Sequence, residues 1–144
     1  MNLRGITAIF LFLAFALIAE TAPQADTNQP PAPEYVTEGK ELYLTHCVEC
    51  HNEDGVGEEV PPWGIRHPKF VPGMPLNETS HAWHHTDEQL RTAILNGVPS
   101  QQRMPAFRNR LSPKQAMYIV HYIKSLWSQR ILACQGPKRN NCMR

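Results

Sequence analysis

The residues best suited to chemistry in this chain are Cys47-Val48-Glu49-Cys50-His51, two thiols three positions apart followed at once by an imidazole. That spacing suits covalent attachment of a haem. The two cysteines can add across the vinyl groups on one side of the macrocycle, and His51, as the next residue, is held beneath the iron as its proximal ligand. Two other chemistries compete for the same residues. A zinc site wants about four tetrahedral ligands, usually from a second cysteine or histidine pair at short spacing. The other cysteines, Cys134 and Cys142, lie far away with seven residues between them. A thioredoxin-like redox pair wants a helix start after a strand, and no parallel-strand pattern precedes Cys47.

Three helices can be placed around the motif. The first runs from about Glu38 into Cys47, with Thr37 as its N-cap and Leu42 and Tyr43 facing inward. The second is capped by Thr86, with Gln89 completing a capping box and Leu90, Ala93 and Ile94 on one face, and it stops at Asn96-Gly97. The third starts at Ser112, with Pro113 in the first helical position and Gln115 three after the cap. Its inward face is Ala116, Ile119, Val120, Ile123 and Trp127. No segment alternates like a strand. The loop from Asn52 to His85 is long and rich in Pro, Gly and His, a length that makes sense if it wraps a cofactor.

Residues 1–22 read as a secretory signal, with Arg4 in a positive n-region and Ile6 to Ala19 as an apolar run. That run is short for a membrane span, which wants roughly 20 apolar residues. Cleavage between Glu20 and Asp26 is expected, and an uncleaved N-terminal anchor is the alternative and the one route to a membrane. Residues 23–35, rich in Pro, Ala and Gln, read as a flexible leader. Residues 36–128 form one small domain, and residues 129–144 a C-terminal tail. Export matters because covalent haem attachment and persistent disulfides both belong outside the reducing cytosol. A periplasmic location follows. Cys134 and Cys142, two further cysteines in an exported chain, read as a disulfide closing the tail, with intermolecular pairing or free thiols as the alternatives.

The stretch from about Thr37 to Trp127 resembles a class I c-type cytochrome. Four features carry the resemblance: Gly39-Lys40-Glu41-Leu42-Tyr43 opening the first helix, the Cys47–His51 motif, a Pro-rich turn at Pro61-Pro62, and Arg103-Met104-Pro105-Ala106-Phe107 before the last helix. The resemblance implies a mostly α, cytochrome c-like fold of three to four helices wrapped around one covalently bound haem c. It implies a close crossing of the first and last helices through Gly39, Tyr43, Ile119 and Tyr122. It implies Met104 as the sixth iron ligand, with Met74, also followed by proline, as the rival. A Met/His pair raises the potential relative to two histidines, which suits electron transfer rather than oxygen activation. The resemblance further implies Pro62 as the carbonyl that orients His51, with Pro61 second. Trp63, Trp83 and Phe107 are candidates for the haem pocket or for ordinary core.

His67, His81, His84 and His85 read mainly as loop residues or contacts to haem propionates, with a second metal as the lesser reading. Charge is lopsided although the net charge is +1. Glu34 to Glu59 holds eight acidic residues against Lys40 alone, and Arg66 onward holds twelve basic residues against Glu78, Asp87 and Glu88. Arg103, Arg108, Arg110 and Lys114 flank the expected ligand loop, where a basic rim would steer an acidic redox partner. So small a net charge on an exported chain argues against nucleic acid as a partner.

The expected function is that of a monohaem one-electron carrier in the periplasm, itself not an enzyme, with donor and acceptor proteins as partners. One alternative is the electron-accepting subunit of a larger dehydrogenase or oxidase. Another is a gas-binding sensor with an open sixth position.

Overall fold

The computed structural model describes residues 30–63, 65, 70–79, 81–100 and 103–136. The signal segment, most of the leader, His67 and Cys142 lie outside them. The described residues form five helices in chain order: α1 (Pro33–His46), α2 (Val48–His51), α3 (Asp87–Asn96), α4 (Pro113–Ser125) and α5 (Gln129–Leu132). A single 3-10 turn at Ala82–His84 precedes α3. No strand occurs among the described residues, so the fold is mostly α, as expected.

α3 and α4 begin where their local sequence says they should. Thr86 accepts the Gln89 N–H and Ser112 accepts the Gln115 N–H, and in each case the glutamine side chain reaches back to the cap's own N–H. α1 begins earlier than expected. Pro33 occupies its first turn behind an extended Ala32, so the helix starts within the stretch read as leader. Thr37 is not its cap; it lies inside the helix and donates its hydroxyl to the Pro33 carbonyl at 3.1 Å. The added turn carries Tyr35, whose ring stacks on Tyr118 and His121 of α4.

The packing of α1 on α4 is the centre of the molecule. A Cβ built on Gly39 would lie 1.9 Å from the Tyr118 carbonyl oxygen, so the two backbones touch at a place only glycine permits. One turn further on, the rings of Tyr43 and Tyr122 meet at 4.8 Å, and Tyr43 and Ile119 are fully buried. Each tyrosine hydroxyl then reaches a carbonyl just beyond α2: Tyr43 donates to Asn52 and Tyr122 to Glu53, both at 2.7 Å.

The C-terminal end is more deeply engaged than a tail. Ile131, Leu132 and Cys134 are buried, so residues 129–136 belong to the domain. Lys124 of α4 is 2% exposed and donates to both carboxylate oxygens of Asp87, at 2.9 and 3.1 Å. The Gln135 amide joins them, donating to Asp87 at 2.5 Å and to the His85 carbonyl at 3.1 Å. A buried ion pair thus fastens the start of α3, the end of α4 and the segment after α5 to one another.

Gly39→Ala should lower stability by about 1–3 kcal/mol or more, because no side-chain rotation relieves a clash with backbone. A guanidinium midpoint equal to that of the parent protein would show that the helices are free to part. Lys124→Met should cost about 3–5 kcal/mol by leaving Asp87 buried without its cation, and adding Asp87→Leu should recover part of that loss. A double variant as unstable as the sum of its singles would contradict this.

Candidate haem site

α1 stops at Cys47 because its φ of −122° breaks the helical path, while its N–H still bonds to the Tyr43 carbonyl at 2.8 Å. One further turn, α2, follows. The N–H groups of Cys50 and His51 both return to the Cys47 carbonyl, at 3.2 and 3.0 Å. That single turn puts Cys47, Cys50 and His51 at i, i+3 and i+4, on one side of the chain. It ends at Asn52, whose φ of +57° is left-handed. All three motif residues line a cavity of about 700 Å³, within the roughly 300–1,000 Å³ usual for cofactor sites.

The second wall comes from the loop between α3 and α4. Gly97 ends α3 at φ +72°, where a Cβ would approach the Met104 carbonyl to 2.8 Å. Val98 N–H bonds to that same carbonyl, and Phe107 and Arg108 N–H groups bond to Ile94 and Leu95 at the end of α3. Met104 and Phe107 therefore line the cavity from a loop pinned to a helix end. Ala93, expected to face inward, also opens onto the cavity.

The third wall is residues 71–75, which the long loop lays against α2. Gly73 makes this approach feasible, since a Cβ there would lie 2.2 Å from the Cys50 carbonyl oxygen. Met74, next in sequence, accepts a hydrogen bond from His51 Nδ1 at 2.7 Å. The orienting carbonyl is thus that of Met74, and not that of Pro62 or Pro61. Pro62 is exposed, and Trp63, at 84% exposure, is not a pocket residue in this fold. Both lie on an outer bend of the loop, while the returning arm of the same loop covers His51. Trp83 is buried but does not line the cavity.

The electrostatics suit a neutral metal-binding imidazole and a protonated Cys47 thiol. Burial lowers the His51 pKa, against smaller raising effects of the Met74 carbonyl and Glu58. With Nδ1 donating to Met74, the lone pair is left on Nε2. Burial and the neighbouring Cys50 push the Cys47 thiol up to about 12, the reverse of what a nucleophilic redox cysteine needs. Glu58 is held down at about 2 by the Arg103 guanidinium and the Gly73 N–H.

Of the expected basic rim, Arg103 is not a free cation, because both its terminal nitrogens pair with Glu58. Arg110 lies over the Phe107 ring at 4.6 Å, Lys114 over Tyr118 at 5.5 Å, and Arg108 bonds to Asn96. His81 and His85 line the cavity, whereas His84 packs edge-on against Trp83 at 4.0 Å. Among the described residues no group of three or more His, Cys, Asp and Glu could hold a metal ion. Leu76, Leu90, Ile94, Val98, Ile119 and Ile123 give the cavity an apolar lining. Two thiols, an imidazole with its second nitrogen tied and a thioether around such a lining fit a haem.

Sequence reasoning took Met74 only as a rival iron ligand and missed residues 71–75 as the wall that orients His51, and it passed over Glu58 as a partner of Arg103. A signal for the first was present: Pro72-Gly73-Met74-Pro75 is as turn-rich as Pro61-Pro62 and has the glycine that close contact requires.

No solved structure matches the chain. Among curated proteins it is 27% identical over 126 residues to a nicotinate dehydrogenase subunit of Pseudomonas putida, covering 84% of this chain and 9% of that protein. It is 30% identical over 94 residues to the cytochrome c subunit of a quinone alcohol dehydrogenase from Gluconobacter oxydans, covering 62% of this chain and 18% of that protein. The chain spans less than a fifth of either relative. The family model described as cytochrome c oxidase, cbb3-type, subunit III matches residues 34–123, which takes in α1 through most of α4 and every wall of the cavity. The chain belongs to that family and is a haem-bearing, electron-transferring cytochrome c.

Proposed function

We propose that the chain carries one electron at a time between exported redox proteins, with a single haem joined covalently to Cys47 and Cys50 and its iron ligated by His51 and Met104. The observation that carries this reading is the tie of His51 Nδ1 to the Met74 carbonyl, in a cavity also lined by both cysteines and Met104. When bound, the haem supplies an iron that alternates between ferric and ferrous states.

The residues of the chain set the terms of that exchange. The Met74 carbonyl fixes the imidazole and leaves Nε2 as the ligating nitrogen. The Met104 thioether favours the ferrous state and so raises the potential. The buried apolar walls keep water away from the ligands, which raises the potential further by disfavouring the more highly charged oxidised centre. Arg108, Arg110 and Lys114 remain as the cationic flank of the Met104 loop, suited to an acidic partner surface. Residues 1–22 direct export to the periplasm and are then removed. A disulfide from buried Cys134 to Cys142 holds the end of the chain to the domain.

The names of the two relatives favour a second reading, in which this domain accepts electrons as part of a larger dehydrogenase assembly. Tight co-purification with a catalytic chain from the native source distinguishes it from a free carrier.

Replacing Cys47 and Cys50 together by alanine should yield a chain that holds no haem through denaturation and has little stable fold, since the cofactor fills much of the core. Retention of the pigment under denaturing conditions would contradict covalent attachment at these residues. Met104→Ala should abolish the near-red absorption band of iron–methionine ligation, lower the potential and admit carbon monoxide, whereas Met74→Ala should leave band and potential nearly unchanged, because Met74 contributes a backbone carbonyl. The opposite pattern would assign the ligand to Met74, and a response from neither would point to a histidine such as His81 or His85.

A further inference from the structure

The Glu58 carboxylate holds the residue immediately before each of the two cavity methionines. On one side it accepts the Gly73 N–H at 2.7 Å, and Glu58 N–H returns to the Gly73 carbonyl at 2.9 Å. On the other it receives the Arg103 guanidinium in a two-pronged contact, Nη1 to Oε2 at 2.5 Å and Nη2 to Oε1 at 2.8 Å. Arg103 Nη1 also donates to the Val71 carbonyl at 3.0 Å, and its guanidinium lies 5.3 Å from the centre of the Phe70 ring. Together these bonds join the segment that orients His51 to the segment that presents Met104.

We infer that Glu58 and Arg103 are a positioning pair that ties the Met104 loop to the loop orienting His51 and so resists displacement of Met104 from the iron. The inference rests on the assignment of Met104 as ligand. The side chains are 21% and 42% exposed, and ion pairs so open to solvent add little to global stability. The two-pronged geometry is directional, however. It restrains where Arg103 can be, and Met104 is the next residue along the chain. Loss of the pair leaves the helices and the capping boxes untouched. What it loosens is the stretch from Arg103 to Ala106, whose backbone ties, at Gly97 and Val98, run to α3; toward the His51 side the Glu58 fork is the directional contact, with the Arg103 bond to the Val71 carbonyl beside it.

The test is imidazole binding to the ferric, haem-loaded protein, followed by loss of the near-red band, with the thermal midpoint measured alongside. Glu58→Gln and Arg103→Gln should each bind imidazole about two- to five-fold more tightly, the range an exposed ion pair spans. The double variant should bind no more tightly than either single, as expected of one shared contact. Arg103→Lys keeps the charge without the fork and should fall between, and it serves where a glutamine variant loads haem poorly. Glu88→Gln removes an ion pair of the same kind on the outer face of α3 and should leave imidazole binding unchanged. Unchanged affinity in both single variants overturns the inference, as do effects that simply multiply in the double variant. Met104→Ala separates the two claims. If it leaves band and imidazole affinity alone, the ligand assignment itself has failed; if it abolishes the band while Glu58→Gln changes nothing, only the positioning role has.

Discussion

The contact between Gly39 and the Tyr118 carbonyl sets the position of everything else. It brings α1 and α4 together at backbone distance, and the end of α1 is the start of the haem motif. Because α2 is a single turn, the cysteines and His51 depend for their position on α1 and on the loop at residues 71–75 that packs against them. The end of α1 sets where the motif begins, and the tyrosine hydroxyls of Tyr43 and Tyr122 then fix the carbonyls that follow it. A larger residue at 39 would spread the helices, and the displacement would be delivered to the Cys47–His51 motif.

A second constraint comes from the long loop, which crosses the structure twice. Its two passes meet where Leu76 and Asn77 N–H groups reach the Gly55 carbonyl and where Glu58 and Gly73 pair. A Cβ on Gly57 would approach the Gly73 carbonyl to 2.6 Å and one on Gly73 would meet Cys50, so the layers are stacked at backbone contact. Trp127 closes the arrangement by donating its indole N–H to Leu76 at 2.8 Å. Residues 71–76 of the loop are therefore a wall of the site, held by hydrogen bonds with Gly55, Glu58 and Trp127.

What could be read from the sequence was local chemistry. The two capping boxes, Pro113 at the head of α4, Gly97 after α3 and the apolar stripe from Ala116 to Ile123 each depend on residues within a few positions, and each lies where expected. The start of α1 was obscured because Pro33, in its first turn, continues the proline run Pro30-Pro31 of the leader before it. The acceptor for His51 was missed for a different reason. A backbone carbonyl has no residue-type signature, and Pro61-Pro62 and Pro72 to Pro75 offer the same local turn signals, so only the path of the chain decides between them. Arg103 was read as a free rim charge because its partner, Glu58, is 45 positions away, beyond any spacing rule.

Covalent haem on one thioether-forming motif is the claim on which ligands, potential and partners all depend. The most direct measurement is an extraction of the purified, unsubstituted protein with acidified organic solvent, followed by the alkaline pyridine spectrum of the protein fraction in its reduced form. One haem per chain should remain with the polypeptide and give the spectrum of a haem whose two vinyl groups are saturated by thioethers. Pigment that leaves with the solvent, or a protein that purifies folded and colourless, would contradict it.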